Sequence, residues 1–116
     1  MTAPAAVWRV PMTEDDLMVA VTDMADRFHW SWAHFRPART EKGWRTAVSG
    51  PLGAGWPDLV LTRALRGVLF IELKDANGRL SPFQVEVHRL FRESGVPIRT
   101  WRPADLDDGT IESVLR

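Results

Sequence analysis

The hydrophobic positions along the chain follow two periods, one helical and the other extended. The helical pattern follows a threonine and three acidic residues, which are residue types that start helices. Its apolar positions are Leu17, Met18, Val21, Met24, Ala25 and Phe28. Residues 58–62 and 68–74 are instead short apolar runs bounded by Gly, Pro or Asn. Runs of this length and composition predict buried strands, so we expect the middle of the chain to contribute two neighbouring strands to a sheet.

The second half of the chain predicts one more helix and one more strand. Asn77 and Gly78 mark a turn, after which Ser81 is a suitable helix N-cap and Pro82 a suitable first helical residue. The complete pattern predicts helices over residues 13–28 and 81–95, strands over 30–35, 46–49 (inside a long connection over 36–57), 58–62, 68–74 and 96–101, and helical turns from 103 and over 110–115. This order favours an α/β fold with a mixed central sheet flanked by helices.

The length of 116 residues is typical of one domain with one modest core. Residues 1–12 contain two prolines and several small residues, so we expect a flexible N-terminal arm followed by a domain over residues 13–116. The chain has no cysteine, which excludes disulfides and thiolate metal sites. It also has no apolar run of the ~20 residues that span a bilayer, and no signal peptide pattern. We therefore expect an intracellular protein.

The net charge is zero, but the charges are unevenly distributed. Residues 27–102 contain thirteen basic and six acidic side chains, whereas both ends of the chain are acidic. Most of these cations are arginines, which bind phosphate groups through two parallel hydrogen bonds. One interpretation is a surface that contacts the DNA backbone, and the other is a solvated surface. The candidate DNA contacts are Arg36, Arg39, Lys42, Arg45, Arg79 and His88. For His88, an isolated surface histidine is the simpler account.

Three charged side chains are predicted to converge at one edge of the sheet. Side chains alternate along a strand, so Glu72 and Lys74 point to one face, and pairing of the two strands as a hairpin brings Asp58 close to Glu72. The two carboxylates are hard oxygen ligands suited to Mg²⁺ or Mn²⁺, and the backbone carbonyl of Leu73 is a further candidate ligand. The alternatives are a local turn hydrogen bond made by Asp58 where the strand begins after Pro57, and a surface ion pair between Glu72 and Lys74.

The same residues lie in short sequence motifs that follow one another in a fixed order. These motifs are GWPDL at 55–59, FIELK at 70–74, GRLS at 78–81 followed by Gln84, and WRPAD at 101–105. Together these motifs resemble those of the VRR-NUC family of PD-(D/E)xK nucleases, and the resemblance covers nearly the whole chain. It implies a single restriction-endonuclease-like domain.

The resemblance also implies roles for individual residues. Asp58 and Glu72 would bind Mg²⁺, with Mn²⁺ as a substitute, and Lys74 would assist the water that attacks the phosphodiester. A first-helix glutamate helps to hold the metal in many members, which here is Glu14; the alternative is an acid that interacts with the helix dipole. Gln84 would lie beside the lysine, whereas its local alternative is a capping box at the start of its helix.

The function implied by the resemblance is that of a metal-dependent DNA endonuclease. By analogy with the small phage and bacterial members, we expect a protein of the bacterial or phage-infected cytoplasm that acts on branched DNA, as Holliday-junction resolvases do. We also expect a homodimer, because symmetric paired nicks need two active sites related by a two-fold axis. Two alternatives stay open: a nickase or other nuclease on duplex or flap DNA, and a non-catalytic DNA-binding module on a nuclease fold. The intact set of Asp58, Glu72 and Lys74 weighs against the non-catalytic module.

Overall fold

The computed structural model describes residues 10–46 and 48–116, with the side chains of residues 37–40 and 44–46 outside that description. The helices are α1 (Glu14–Arg27), α2 (Pro82–Glu93), α3 (Pro103–Asp107) and α4 (Thr110–Leu115). The strands are β1 (Ser31–His34), β2 (Pro37–Thr40), β3 (Gly43–Thr46), β4 (Leu59–Arg63), β5 (Gly67–Leu73) and β6 (Ile98–Trp101). The two long helices and four of the five predicted strands are thereby confirmed, each to within two residues at both ends.

The central sheet has the strand order β1-β4-β5-β6 and is mixed. β1, β4 and β5 are antiparallel neighbours, and β6 is parallel to β5 because α2 carries the chain back across the sheet. The register pairs Leu59 with Ile71 and Glu72 with Thr100. Asp58, one residue before β4, therefore lies opposite Glu72 near the end of β5. The predicted mixed α/β fold is confirmed.

The two faces of β5 pack against different helices. Ile71 and Leu73 belong to the larger core cluster, together with Leu17 of α1. Phe70, which alternates with them, packs in a second cluster with Val87 of α2. Complete burial of a side chain such as Leu17 or Ile71 stabilises the fold by ~1.5–3 kcal/mol. The period-two alternation consequently turns the side chain of Glu72 towards α2.

Both long helices begin with the capping interactions expected from their sequences. Oγ1 of Thr13 accepts a hydrogen bond from the N–H of Asp16, and the Asp16 carboxylate accepts one from the N–H of Thr13. Ser81 caps α2 in the same way. Each box satisfies two N–H groups that have no partner within the helix, so the cap residues define where α1 and α2 start.

The long connection before β4 differs from its prediction. β2 and β3 form a separate two-stranded sheet, with Thr40 opposite Gly43 across the turn. The predicted strand over 46–49 is wrong, because Thr46 ends β3 and residues 48–49 are in neither helix nor strand; Ala47 lies outside the described residues. Gly43 has a φ of 95°, which a glycine adopts without strain at this turn.

The predicted N-terminal arm lies mostly beyond the described part of the chain. Residues 1–9 fall outside it, and residues 10–12 are in neither helix nor strand. Within residues 10–46 and 48–116, no helix combines the length and apolar character needed to cross a membrane.

Candidate active site

Asp58 is held in place by strands on both sides of it. Its carbonyl oxygen accepts a hydrogen bond from the N–H of Phe35, 2.8 Å away, just beyond the end of β1. Its carboxylate oxygen Oδ2 accepts a hydrogen bond from the N–H of Leu73 at 2.7 Å. The side chain therefore reaches across the sheet to the end of β5, and the local turn contact considered from the sequence is not the bond that it makes.

Glu72 is a carboxylic side chain buried in a mainly apolar strand. Only 2% of its surface is exposed. Its Oε2 accepts a hydrogen bond from Nε2 of Gln84 at 3.1 Å and lies 3.8 Å from Nζ of Lys74. When Glu72 is ionised, its Oε1 has no hydrogen-bond donor among the residues that the structure describes. The surface ion pair considered from the sequence is excluded by this burial.

The environment of Glu72 favours its neutral form in the metal-free protein. Burial raises the pKa of Glu72 to about 9, and Asp58 contributes to the rise through its negative charge and a hydrogen bond. Lys74 acts in the opposite direction, while Glu14 adds a smaller increase. Glu72 consequently holds a proton at neutral pH, because a second buried negative charge beside Asp58 is unfavourable.

Lys74 follows β5 directly and is held by its backbone and by the next loop. Its N–H donates to the carbonyl of Trp101 at 3.1 Å, and its side chain is 15% exposed. A Cβ atom at Gly78 would lie 3.3 Å from Cδ of Lys74, so the glycine leaves room for the lysine stem. The ammonium group is thereby directed along the face that carries Glu72.

The loop after Lys74 is tied down by Arg102, a residue to which sequence reasoning assigned no role. The guanidinium group of Arg102 donates to the carbonyl oxygens of Asp75 at 2.9 Å and Gly78 at 2.6 Å. The carboxylate of Asp75 in turn accepts from the N–H groups of Asn77 and Gly78. The available sequence indication was the WRPAD motif at residues 101–105. This motif begins at the last residue of β6, which is paired with the end of β5.

Gln84 combines the two roles that were weighed as alternatives. Its Oε1 accepts a hydrogen bond from the N–H of Ser81 at 2.8 Å, which completes the capping box of α2. Because the amide oxygen is engaged at the cap, the amide nitrogen is directed at Glu72, to which it donates. The oxygen that accepts this bond is the one closest to Lys74, so Gln84 lies beside the lysine and glutamate together.

Glu14 approaches the same edge of the sheet from the first turn of α1. Its side chain is exposed overall. Partial desolvation raises the pKa of Glu14; the charge of Lys74 lowers it, and those of Asp58 and Asp75 raise it. These couplings place Glu14 within electrostatic range of the other candidate residues. A role for Glu14 in metal binding stays a prediction, as does one for the carbonyl of Leu73.

Two carboxylates are the oxygen donors that the structure brings together at this site. No group of three or more His, Cys, Asp or Glu side chains in the described ranges is arranged to hold a metal ion. Mg²⁺ is commonly held in proteins by one or two carboxylates, together with water and substrate phosphates. The pair formed by Asp58 and Glu72, with one buried oxygen that has no hydrogen-bond donor in the ionised form among the described residues, fits that smaller requirement.

Gly55, in the glycine-rich stretch before Asp58, allows the backbone to pack closely against α2. A Cβ atom at Gly55 would lie 2.3 Å from the carbonyl oxygen of Phe83 in the first turn of α2. The ring of Trp56 meets those of Phe35, Phe70 and Phe91 edge to face, with ring centres 5.6–5.8 Å apart. Trp56 is therefore partly buried and packs against the second core cluster.

The candidate DNA contacts fall into three groups. Arg36, Lys42 and Arg79 are exposed, and Nε of Arg36 donates to Nδ1 of His34 at 3.3 Å. The side chains of Arg39 and Arg45 lie outside the described part of the chain. The remaining candidate, His88, is a separate case.

The prediction that His88 contacts DNA is wrong for this conformation, and so is the alternative of a surface histidine. Its side chain is only 1% exposed. It follows Gln84 by one helical turn, so it lies on the face of α2 that packs on the sheet.

Two comparisons with known proteins agree with this geometry. The family model described as the VRR-NUC domain matches residues 34–103, a span that contains Asp58, Glu72, Lys74 and Gln84. A solved structure described as a VRR_NUC domain is 25% identical to this chain, with a TM-score of 0.53, and the match covers 86% of this chain and 96% of that one. No curated protein matches the chain. Because the family match spans more than half of its length, the chain belongs to the VRR-NUC domain family, with a PD-(D/E)xK-type fold and a nuclease-type domain whose substrate class is DNA.

Proposed function

We propose that this protein is a metal-dependent DNA endonuclease in which Asp58 and Glu72 hold Mg²⁺, assisted by Glu14. The observation that carries the proposal is the buried Oε1 of Glu72, which in the ionised form has no hydrogen-bond donor among the described residues and belongs to a carboxyl group directly beside Asp58. When bound, Mg²⁺ would neutralise the negative charges of the two carboxylates, polarise the scissile phosphate and make its bound water more acidic.

The side chains around the carboxylate pair have distinct tasks. Leu73 donates its N–H to one oxygen of Asp58, and Gln84 donates to one oxygen of Glu72. When both groups are ionised, the second oxygen of each carboxylate would bind the cation. Lys74, with its ammonium group 3.8 Å from Oε2 of Glu72, would orient the attacking water and stabilise negative charge that develops on the phosphate.

The reaction is hydrolysis of a phosphodiester. The oxygen of water forms a new bond to phosphorus while the bond between phosphorus and the 3′ oxygen breaks, and the leaving oxygen takes up a proton. The products are 5′-phosphate and 3′-hydroxyl ends, as the resemblance implies. The attacking water must also lose a proton. The candidate groups for this transfer are Lys74 and the two carboxylates, because a proton acceptor must be positioned close to the water to raise the rate.

We further propose branched DNA as the preferred substrate and a homodimer as the active form. Support comes from the resemblance to the small phage and bacterial members and from the excess of basic side chains over residues 27–102. Two copies related by a two-fold axis would place two active sites on opposite strands of a junction.

The experiment is a cleavage assay on end-labelled four-way junction, flap, single-stranded and duplex DNA, each with Mg²⁺, with Mn²⁺ and with EDTA. Glu72→Gln is the matched control, because the amide is similar in shape but cannot carry the negative charge. We expect metal-dependent cleavage that is fastest on the junction and absent in the variant. Preferential cleavage of duplex or flap DNA would refute the substrate preference alone, whereas binding without cleavage of any DNA would refute the nuclease assignment.

A further inference from the structure

His88 is a deeply buried titratable side chain that the proposed reaction does not use. It is 1% exposed, and neither Nδ1 nor Nε2 has a hydrogen-bond partner among the described residues. A neutral imidazole carries one donor and one acceptor, and leaving both unpaired in the interior costs free energy. Each such group in a native protein calls for an explanation, and a role in catalysis is one of the recognised ones.

The position of His88 on α2 directs it towards the candidate active site. Gln84 lies one helical turn earlier on the same face of the helix and reaches Glu72. Val87 and Phe91 fill the neighbouring places on that face and pack against the sheet. His88 therefore lies over the sheet on the side to which β5 presents Glu72.

Burial and the neighbouring positive charges favour the neutral form of His88. Burial lowers the pKa of His88 in the first place, and the positive charges of Arg92 and Lys74 lower it further. Gln84 and Lys74 both approach Oε2 of Glu72, and His88 lies one helical turn from Gln84, so the ammonium group and the imidazole are on the same side of the sheet. A neutral imidazole next to a cation offers an acceptor nitrogen without adding charge.

We infer that His88 is a positioning residue for Lys74, with a ring nitrogen that accepts a hydrogen bond from one buried water to which the lysine ammonium group donates. This inference rests on the proposed function, in which Lys74 acts on the attacking water. The separation of 3.8 Å between Nζ of Lys74 and Oε2 of Glu72 is too long for a hydrogen bond, so the ammonium group needs a further acceptor to fix its direction.

The test compares His88→Leu and His88→Gln in the full chain, with Leu90→Gln as a control for substitution on α2 at a more exposed position. Leucine fills a similar volume without polar atoms, and glutamine retains an acceptor. We expect His88→Leu to lower kcat by ~10–100-fold, the scale for losing a side chain that orients an active-site group. KM, DNA affinity and thermal stability should be maintained, and His88→Gln should recover part of the loss. A His88→Leu variant with wild-type kcat would overturn the inference.

A second measurement needs no cleavage activity. The ¹⁵N chemical shifts of the His88 ring are recorded by NMR in the metal-free protein and in Lys74→Met. We expect the acceptor nitrogen of His88 to shift when the lysine ammonium group is removed, while the other histidines stay unchanged. Unchanged His88 shifts would overturn the inference whether or not the protein cleaves DNA. Failure of the wild-type protein to cleave any substrate would instead refute the proposed function.

Discussion

Nε2 of Gln84 donates a hydrogen bond to Oε2 of Glu72 at 3.1 Å, while the oxygen of the same amide accepts one from the N–H of Ser81. The start of α2 is thereby coupled to the candidate active site through one side chain. The capping box fixes the orientation of the amide, and the amide fixes the orientation of the buried carboxyl group. A change at residue 84 should therefore affect stability and catalysis together, whereas a change at Ser81 should affect mainly stability.

The first prediction separates these two roles of Gln84. Gln84→Ala removes the contact with Glu72 and half of the capping box, whereas Ser81→Ala removes only the hydroxyl group that caps the N–H of Gln84. We expect each variant to lose ~0.5–2 kcal/mol of unfolding free energy in urea, the usual scale for a lost cap. Only Gln84→Ala should also cleave ~10–100-fold more slowly, because it releases a carboxylate that would bind the metal. Equal cleavage rates for both variants would contradict a site role for Gln84.

The second prediction concerns the pH dependence of stability in the metal-free protein. Burial raises the pKa of Glu72 to about 9 from its ordinary value of 4.5, so the folded state holds the proton more tightly than the unfolded state. The corresponding stabilisation is complete below the unfolded pKa and is lost as the pH rises through the folded pKa. We therefore expect Tm to fall between pH 5 and pH 9 more steeply for the wild-type protein than for Glu72→Gln.

Adding Mg²⁺ provides the control for this measurement. A cation that binds the ionised carboxylates stabilises the folded state by mass action, so Tm of the wild-type protein should recover at pH 9. Glu72→Gln should respond much less. Parallel Tm curves for the two proteins in EDTA would show that Glu72 does not titrate in the buried environment described above.

The third prediction addresses the role of Lys74. Lys74→Arg keeps the positive charge beside Glu72 but brings a bulkier group that does not release a proton at working pH. We expect Lys74→Arg and Lys74→Ala to bind metal and DNA normally and to cleave at least ~100-fold more slowly, the scale for a lost acid–base group. Single-turnover cleavage rates provide the measurement. Wild-type cleavage by Lys74→Arg would return the lysine to a role in charge balance.

The fourth prediction concerns the basic surface that is expected to contact DNA. Arg36 and Arg79 are exposed, whereas Arg89 on α2 is already paired with Glu86 and Glu93. We expect Arg36→Gln and Arg79→Gln to weaken binding to all DNA substrates and to reduce the slope of log affinity against log salt by ~1 for each lost phosphate contact. Arg89→Gln is the control and should have little effect. An affinity that does not change between low and physiological salt would contradict a phosphate-binding surface.

The parts of the fold that were predictable from the sequence are those in which apolar positions repeat with a regular period. The β4 and β5 runs are short, apolar and bounded by turn residues, and α2 starts at a serine followed by a proline. The alternation along β5 was sufficient to place Glu72 on the face opposite Ile71, and the strand pairing was sufficient to bring Asp58 next to it.

The features that sequence reasoning missed depend on tertiary contacts. β2 and β3 are four residues each, and neither has a continuous apolar face, so no periodic signal marked the hairpin. His88 was interpreted as a surface residue because histidine is polar, although residues 84, 87, 88 and 91 share one face of a helix. That shared face was the available signal for its burial. The simultaneous bonds of Gln84 depend on the distance between α2 and β5, which local sequence does not determine.

The most direct test of the account is the rate of four-way junction cleavage in Mg²⁺ for the wild-type protein and for Asp58→Asn, under single-turnover conditions. The asparagine retains an oxygen that accepts from the N–H of Leu73, so the variant should remain folded and bind the junction. We predict cleavage by the wild-type protein that stops in EDTA, and a rate at least ~100-fold lower for Asp58→Asn, because several kcal/mol of charge stabilisation depend on the metal. Cleavage by Asp58→Asn at the wild-type rate, or by the wild-type protein in EDTA, would contradict a metal site at Asp58 and Glu72.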